Sequence, residues 1–422
     1  MTSFDLGAIL LTLAALLGCV NYFWLRLPST IGLMAGALVV SVVVLAIDRI
    51  YPDLDLRERW QAVVATADLP HLFLDGMLAF MLFAGALHVD MPSLRDNKWA
   101  VFALATLSTL LATALLGGGM AWALGGALPF AWCVVLASIL APTDPIAVAG
   151  LLQRVGLPAG LQAAIAGESL FNDGVAVVVF SLALSVATGH DVGAREIALQ
   201  FLEEAVGGAL LGLVTGYAAY RLMQLIDDYQ LELTISLALV TGTYSIAHWT
   251  GVSGPIAVVV TGLLIGHRAR KDAWSEQTRT QVSTFWSLVD ELLNAVLFLL
   301  LGFALLSVEA DRPGLHAAAI GVGLAVAARL ISVAVPVAFL RLHRVQKARA
   351  VTVLTWGGLR GGISVALALG LPASPWRQEI LTVVYAVVVF TILIQGLSMP
   401  WLIRRLYGDR SDQAGHQHGQ QA

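Results

Sequence analysis

Residues 167–174 read Gly-Glu-Ser-Leu-Phe-Asn-Asp-Gly and bring four polar side chains into an apolar stretch that runs from 157 to 188. A carboxylate inside a membrane helix is energetically expensive, and in most proteins it marks an ion or proton path. Ser169, Asn172 and Asp173 are spaced i, i+3 and i+4, so they share one face of a helix. The sequence therefore predicts an oxygen-rich, titratable site on one face of a membrane-spanning helix.

The composition of the chain places that helix in a bilayer. Of the 422 residues, 58% are hydrophobic and 12% are charged, which is about half the charged fraction of a soluble globular chain. Apolar runs of roughly 20 residues, long enough to cross ~30 Å of hydrocarbon, recur along the whole chain. We therefore predict an all-α integral membrane protein with one transmembrane domain, residues 1–407, and a short cytoplasmic tail, residues 408–422. The formal net charge of −4 is scattered, and no basic block indicates a nucleic-acid partner.

Charged and Pro/Gly-rich breaks divide the chain into thirteen predicted membrane spans. Their approximate bounds are 6–25, 29–47, 69–88, 99–124, 129–152, 157–188, 196–225, 231–249, 252–267, 281–307, 314–340, 347–371 and 378–406. With an odd number of spans, the two termini lie on opposite sides of the membrane. The loops on the C-terminal side hold sixteen of the 24 Lys and Arg residues and the other loops hold six. This bias predicts a cytoplasmic C-terminus and an external N-terminus in the cell membrane.

Two of the predicted spans are interrupted. In the fifth span, residues 141–145 read Ala-Pro-Thr-Asp-Pro, and each proline removes a backbone donor and obstructs the preceding turn. In the twelfth span, residues 356–362 read Trp-Gly-Gly-Leu-Arg-Gly-Gly, and the four glycines weaken the helix. Paired interruptions at corresponding positions of two halves are typical of inverted-repeat transporters. The sequence thus predicts two inverted six-span repeats, about 6–188 and 231–406, joined by a linker helix at about 196–225.

Both interruptions carry a charged residue. Half-helix N-termini have partial positive charge and half-helix C-termini have partial negative charge, so Asp144 can offset the former and Arg360 the latter. We favour this structural role for Arg360 over direct contact with an ion. Thr143 offers a hydroxyl and a freed carbonyl oxygen, both hard ligands, and the sequence leaves open whether it touches a cation.

Three strings, in this order and on these spans, resemble the monovalent cation:proton antiporters, in the branch with NhaP-type proteins and the eukaryotic sodium/hydrogen exchangers: Ala-Pro-Thr-Asp-Pro, Gly-Glu-Ser-Leu-Phe-Asn-Asp-Gly and Trp-Gly-Gly-Leu-Arg-Gly-Gly. The resemblance covers essentially the whole chain. It implies that four residues surround a transported cation: Thr143, Asp144, Ser169 and Asp173. It also implies that Glu168 pairs with Arg329 of the eleventh span. Asn172 would then brace the helices through a hydrogen bond near Thr143 or Glu168.

The Asn-Asp order at 172–173 is similar to that of the electroneutral, one-for-one exchangers of this family. A single free carboxylate, Asp173, can hold either a proton or a monovalent cation, and alternating access then couples the two fluxes. We therefore predict an antiporter that exchanges Na+ for H+ in pH and cation homeostasis, without a cofactor. Asp173, Ser169 and Thr143 are its predicted cation ligands, and Li+ or K+ in place of Na+ stays open.

The resemblance also implies a homodimer. Spans 1–3 and 8–10 would form the interface, and spans 4–6 and 11–13 would surround the ion. Span two carries Gly32, Ala35 and Gly36, whose small side chains permit close helix packing, either between protomers or within one.

Two other classes of protein use similar residues. A cation channel also presents intramembrane Asp and Thr oxygens, but channels usually build a symmetric filter, and this sequence repeats no filter motif. An intramembrane hydrolase could use Ser169 as a nucleophile, yet no histidine lies at a suitable depth to act as its base. A channel or another ion-coupled transporter remains the alternative to antiport, and we predict no enzymatic activity.

Overall fold

The computed structural model describes residues 3–60, 76–144, 159–189, 193–308, 312–339 and 344–407. Within these ranges every regular element is helical. The α-helices are, in chain order, α1 Ser3–Val20, α2 Ser29–Ile50, α3 Leu78–His88, α4 Met91–Asp96, α5 Lys98–Phe102, α6 Thr109–Ala123, α7 Phe130–Leu140, α8 Ala159–Ala187, α9 Ala194–Met223, α10 Tyr229–Thr250, α11 Gly254–Leu264, α12 Arg270–Asp272, α13 Glu276–Phe303, α14 Arg312–Phe339, α15 Arg344–Trp356, α16 Gly362–Leu369, α17 Arg377–Phe390 and α18 Leu397–Tyr407. The described π-helical turns are Asn21–Leu25, Ala103–Ser108, Ile265–Ala269 and Thr391–Gly396, and the described 3-10 turns are Pro52–Leu54 and Ala304–Ser307.

This architecture confirms the predicted all-α, multi-pass membrane fold. Among the described residues, 8 helices are long and apolar enough to cross a membrane, and α3 and α7 are shorter apolar helices. The predicted third and fifth spans include residues outside the described ranges, so the number of thirteen spans stays a prediction. The predicted tail, residues 408–422, also lies outside the described residues, and the domain and repeat boundaries stay predictions.

Helix α8, which carries the polar face, lies between two hydrophobic clusters. One cluster joins α7, α14, α16 and α17, and α8 contributes Phe180 to it. The other joins α3, α10, α11 and α13, and α8 contributes Leu170 to it. In the second cluster the rings of Phe83 and Trp286 pack with their centroids 4.6 Å apart. The position of the polar face is therefore set by packing on both sides of α8.

A tight connection joins α10 to α11. Gly251 has a φ of +71°, a left-handed conformation that ends helices and that favours glycine. The Ser253 hydroxyl accepts a hydrogen bond from the Ile256 amide at 3.4 Å and caps the start of α11. The chain therefore reverses within a few residues and places α11 beside α9.

A stripe of glycines joins α9 to α11. Gly208, Gly212 and Gly216 are spaced by four residues, so they lie on one face of α9. A Cβ atom at Gly212 would overlap the carbonyl group of Ala257. The Thr261 hydroxyl also donates a hydrogen bond to the Gly212 carbonyl oxygen at 3.1 Å. The two helices therefore pack backbone to backbone, as stripes of small residues allow in membranes.

Replacement of Gly212 by alanine is expected to lower the free energy of unfolding by about 1–3 kcal/mol, because the new methyl group overpacks the contact between α9 and α11. Gly118 in α6 is the matched control, since nothing lies within 4 Å of its Cβ position. Gly118→Ala should be neutral or stabilise the protein by about 0.5–1 kcal/mol through helix propensity. Thermal unfolding midpoints of the detergent-solubilised variants measure the difference. Equal midpoints for the two variants would contradict the backbone-to-backbone contact.

Candidate ion-binding site

The first helix break lies directly after α7. The helix ends at Leu140, and residues 141–144 continue without helical structure. Pro142 has no amide hydrogen and cannot continue the helical hydrogen-bond pattern. The second proline of the predicted break, Pro145, lies outside the described residues. Helix α7 thus ends in the interior of the protein, where its last carbonyl groups need donors.

The second helix break separates α15 from α16. Residues 357–361 form it, and glycine is needed at two of these positions because charged side chains lie against the backbone. A Cβ atom at Gly358 would overlap the Arg329 guanidinium, and one at Gly361 would overlap the Asp144 carboxylate. The glycines therefore do more than weaken the helix, since they make room for both charges.

The two breaks cross and bond to each other. The Asp144 amide donates a hydrogen bond to the Leu359 carbonyl oxygen at 2.8 Å. Arg360 is 2% exposed, and its Nη1 donates to the carbonyl oxygens of Ala141 and Pro142 at 2.6 and 2.8 Å. These carbonyl groups follow the C-terminal end of α7, where the helix dipole is negative. The guanidinium therefore supplies donors to two carbonyl groups that follow the end of α7 in the protein interior.

Asp144 lies at the opposite kind of helix end. Its carboxylate packs against Gly361, the residue directly before α16, and the start of a helix carries partial positive charge. Asp144 is half-buried, whereas Arg360 is fully buried. The structure thus brings both charged residues to the crossing, one near each kind of helix terminus, and their roles in offsetting the helix dipoles stay predictions.

The polar face of α8 forms hydrogen bonds with Thr143 of the first break. The Ser169 hydroxyl donates a hydrogen bond to the Thr143 carbonyl oxygen. The Asn172 side-chain amide donates to the Thr143 hydroxyl oxygen at 2.9 Å. All three residues are buried. Two side chains of α8 therefore hold the unwound segment beside the helix, with Asp173 next to them.

Asp173 lies on the same face and is 9% exposed. Among the described residues, no side chain forms a hydrogen bond or an ion pair with its carboxylate, and Asp144 contributes a second negative charge nearby. The Asn172 Oδ1 atom is also buried and has no hydrogen-bond partner in the described part of the chain. Buried oxygen atoms without donors are unfavourable unless something binds them. A proton or a cation is the partner that this chemistry accepts.

Glu168 and Arg329 form a buried ion pair. Arg329 Nη1 donates a hydrogen bond to Glu168 Oε1. Arg329 is 5% exposed and Glu168 is 2% exposed. The Arg329 Nε and Nη2 atoms also donate to the Leu354 carbonyl oxygen at 3.3 and 3.2 Å. Leu354 belongs to the last turn of α15, so Arg329 satisfies the end of this helix as Arg360 satisfies the end of α7.

Several contacts at the crossing were not predicted from the sequence. The Ser364 hydroxyl donates to the Ile139 carbonyl oxygen at 2.7 Å. The Thr391 hydroxyl accepts a hydrogen bond from the Arg360 amide at 3.1 Å. The only signal in the sequence is a hydroxyl side chain within an apolar span, and such residues also occur where they bond only to their own helix. The second role of Arg329, at the Leu354 carbonyl, has no sequence signal.

The chain is similar to known proteins over most of its length. The family model described as "Sodium/hydrogen exchanger, transmembrane" matches residues 9–405. The Na(+)/H(+) antiporter NhaP of Pseudomonas aeruginosa is 44% identical over 96% of this chain and 97% of its own length. The Na(+)/H(+) antiporter NhaH of Halobacillus dabanensis is 34% identical over 90% of this chain and 93% of its own length.

A solved structure shows the same fold. The sodium proton antiporter MjNhaP1 of Methanocaldococcus jannaschii at pH 8 superimposes with a TM-score of 0.76. The superposition covers 96% of this chain and 99% of that chain at 18% sequence identity. At this identity the likeness concerns the fold alone.

Neutralising one member of the Glu168–Arg329 pair is expected to lower the free energy of unfolding by about 3–5 kcal/mol, because the other charge stays buried without its partner. The double variant Glu168→Gln, Arg329→Gln should recover part of that loss. Thermal unfolding of the two single variants and the double variant measures the coupling. Strictly additive losses would show that the two charges do not stabilise each other.

The exposed pair Glu276–Arg279 provides the control for this cycle. The two residues lie about one helical turn apart, and their charged atoms are separated by 3.4 Å. The side chain of Glu276 is 91% exposed and that of Arg279 is 40% exposed. Glu276→Gln should change the stability by no more than about 1 kcal/mol.

Proposed function

This chain belongs to the sodium/hydrogen exchanger family, and we propose that it exchanges a monovalent cation for H+ at one site centred on Asp173. Na+ is the proposed cation, because the relatives are named as Na(+)/H(+) antiporters. The proposal rests above all on one observation, namely a buried carboxylate without a partner among the described residues, placed where two broken helices cross.

The charges at the crossing support a single exchange site. Arg329 is bonded to Glu168, and Arg360 lies at the same crossing as Asp144. Asp173 is the remaining carboxylate, and its negative charge has no matching cationic side chain among the described residues. An uncompensated buried charge is unfavourable, so one proton or one monovalent cation stabilises the site. Two positive charges would leave a net positive charge buried there.

The neighbouring oxygen atoms are suited to a hard cation. The Ser169 hydroxyl uses its hydrogen on the Thr143 carbonyl, which leaves its own oxygen lone pairs able to accept a cation. The Thr143 hydroxyl oxygen and the Asn172 Oδ1 atom lie on the same side of α8. We propose that Asp173, Ser169 and Thr143 contact the cation and that Asn172 braces the break. Glu168, Arg329 and Arg360 then hold the helices in place, and Asp144 keeps its charge throughout.

Exchange follows from competition at Asp173. A proton and a cation cannot occupy the carboxylate together, so binding of one displaces the other. If the site faces each side of the membrane in turn, the two fluxes are coupled without a separate energy source. One proton then moves for each cation and no net charge crosses the membrane. Protons also compete with the cation as the pH falls, which raises the apparent KM for the cation. No cofactor or enzymatic step enters this cycle.

The repeats predicted from the sequence supply the moving parts of the proposed cycle. The unit that holds the crossing, spans 4–6 and 11–13, would move against spans 1–3 and 8–10, with the linker helix between the repeats. In the cell membrane the N-terminus would lie outside and the C-terminus in the cytoplasm, as the loop charges favour. Such an exchanger serves pH and cation homeostasis.

Asp173→Asn is expected to abolish proton-coupled cation flux, because an amide can neither release a proton nor offset the charge of a cation. The protein should still fold, since the variant removes a buried charge and leaves its neighbours bonded to each other. Fluorescence dequenching in everted vesicles with Na+, Li+ and K+ in turn measures the flux. Glu291→Gln, which neutralises an exposed carboxylate of α13, is the control and should retain activity. Exchange that persists in Asp173→Asn vesicles would rule out Asp173 as the shared site.

The proposed homodimer concerns a different surface. Gly32 packs against the Asn21 side chain and Gly36 against Leu17, so these small residues serve the contact of α2 with the end of α1 in one protomer. The proposed interface therefore rests on the exposed apolar side chains of spans 1 and 8, such as Leu16 and Trp249. Light scattering of the active, detergent-solubilised protein is expected to give the mass of two chains. A monomeric mass would contradict the proposal.

A further inference from the structure

A cavity of about 280 Å3 lies beyond the ion-binding site, between α8 and the helices α9, α10 and α11. Residues Val177, Val178, Phe180 and Ser181 of α8 form one wall. The opposite wall includes Glu204 of α9, Tyr244 and His248 of α10 and the connection Val252–Pro255. A cavity of this size holds roughly nine water molecules at the density of liquid water, which is enough for a monovalent cation with its first hydration shell.

The cavity approaches Asp173 along α8. Val177 lies one helical turn after Asp173, about 6 Å along the helix axis. Between them, Gly174 packs so closely on Ile256 that a Cβ atom at Gly174 would overlap the Ile256 side chain. The cavity therefore ends one turn short of the site, at a contact between α8 and the first turn of α11.

Glu204 is the carboxylate of this cavity. It is half-buried, and its Oε1 atom accepts a hydrogen bond from the Gln200 side chain at 3.1 Å. Its backbone carbonyl accepts a hydrogen bond from the Ser253 amide at 3.1 Å, which joins α9 to the start of α11. Glu203, the next carboxylate along the chain, is exposed and does not line the cavity.

The placement of Glu204 needs an explanation other than solvation at a helix end. Helix α9 begins at Ala194, and Glu204 lies ten residues, about 15 Å, along it, as the last charged residue before an apolar run that extends to Tyr220. A carboxylate at that depth is unfavourable and usually lines an ion pathway. In the described part of the chain it forms no ion pair with a basic side chain.

We propose that this cavity is the vestibule from which the transported cation reaches Asp173, with Glu204 as the carboxylate that concentrates cations there. The inference rests on the proposed exchange function. The hydroxyl group of Ser181 and the negative charge of Glu204 suit a hydrated monovalent cation. The Gly174–Ile256 contact closes the inner end, and movement of α8 relative to α11 opens it. In the proposed topology α8 ends and α9 begins outside the cell, so the vestibule serves the external face.

Sided transport measurements test the vestibule. Glu204→Gln is expected to raise the apparent KM for Na+ supplied at the external face, on the order of three- to tenfold, because the local cation concentration falls. The KM for Na+ supplied at the cytoplasmic face should not change. Right-side-out and everted vesicles give the two values. Glu203→Gln is the matched control and should leave both unchanged. A KM change at both faces, at neither, or only at the cytoplasmic face would overturn the proposal.

Thiol labelling tests the same charge without any transport. Ser181→Cys, in a background with Cys19→Ser and Cys133→Ala, places the only thiol in the cavity. A cationic methanethiosulfonate added outside should react faster than an anionic one of similar size. Glu204→Gln should lower the ratio of the two rates roughly fivefold, as expected for removal of one nearby unit charge, and Glu203→Gln should not.

The labelling rates depend on the cavity and do not depend on transport. If the wild-type protein showed no exchange, the proposed function would be refuted. The ratio of the two labelling rates, by contrast, reports on the cavity alone. A ratio that is insensitive to Glu204→Gln, or a thiol that neither reagent reaches from outside, would show that the cavity does not gather cations.

Discussion

A helix that ends inside a membrane leaves backbone carbonyl groups without donors, and this constraint shapes the whole crossing. Two buried arginines supply the donors. Arg360 bonds to the Ala141 and Pro142 carbonyls after α7, and Arg329 bonds to the Leu354 carbonyl in the last turn of α15. Each guanidinium belongs to an element other than the helix whose end it satisfies. The end of α7 is therefore satisfied from the second break, whereas the end of α15 is satisfied from the preceding helix, α14.

The charge balance of the site follows from the presence of these two buried arginines. Two guanidinium groups require carboxylates nearby, and Glu168 and Asp144 lie at the same crossing. Asp173 is then a further carboxylate whose charge must be met by something that the described residues do not provide. One unmatched negative charge at Asp173 is the charge that a proton or a monovalent cation neutralises. The helix breaks thus provide the unwound oxygen atoms beside Asp173, and the charge balance is the reason why we propose one-for-one exchange there.

The sequence was sufficient for the fold class, and the residues that it predicted for the site lie together in the structure, while their roles at the ion stay predictions. Apolar runs, the two interrupted spans and the spacing of Ser169, Asn172 and Asp173 depend on local periodicity, which a single sequence displays. The contact of Arg329 with the Leu354 carbonyl depends on how α14 and α15 pack, and no local pattern encodes it. The same holds for Gly32 and Gly36, which pack on α1, and for Glu204. A sequence shows that a carboxylate lies in an apolar helix, but only packing shows which cavity it faces.

The number of charges that move in one transport cycle shows whether the proton and the cation share a single carboxylate. The protein is reconstituted into proteoliposomes with a sodium gradient, and potassium with valinomycin clamps the membrane voltage. The sodium-driven pH change is then followed at several voltages. If one proton replaces one monovalent cation, the initial rate of the pH change is the same at each voltage. A rate that depends strongly on voltage would mean that more than one proton moves per cation. That result would contradict exchange at Asp173 alone.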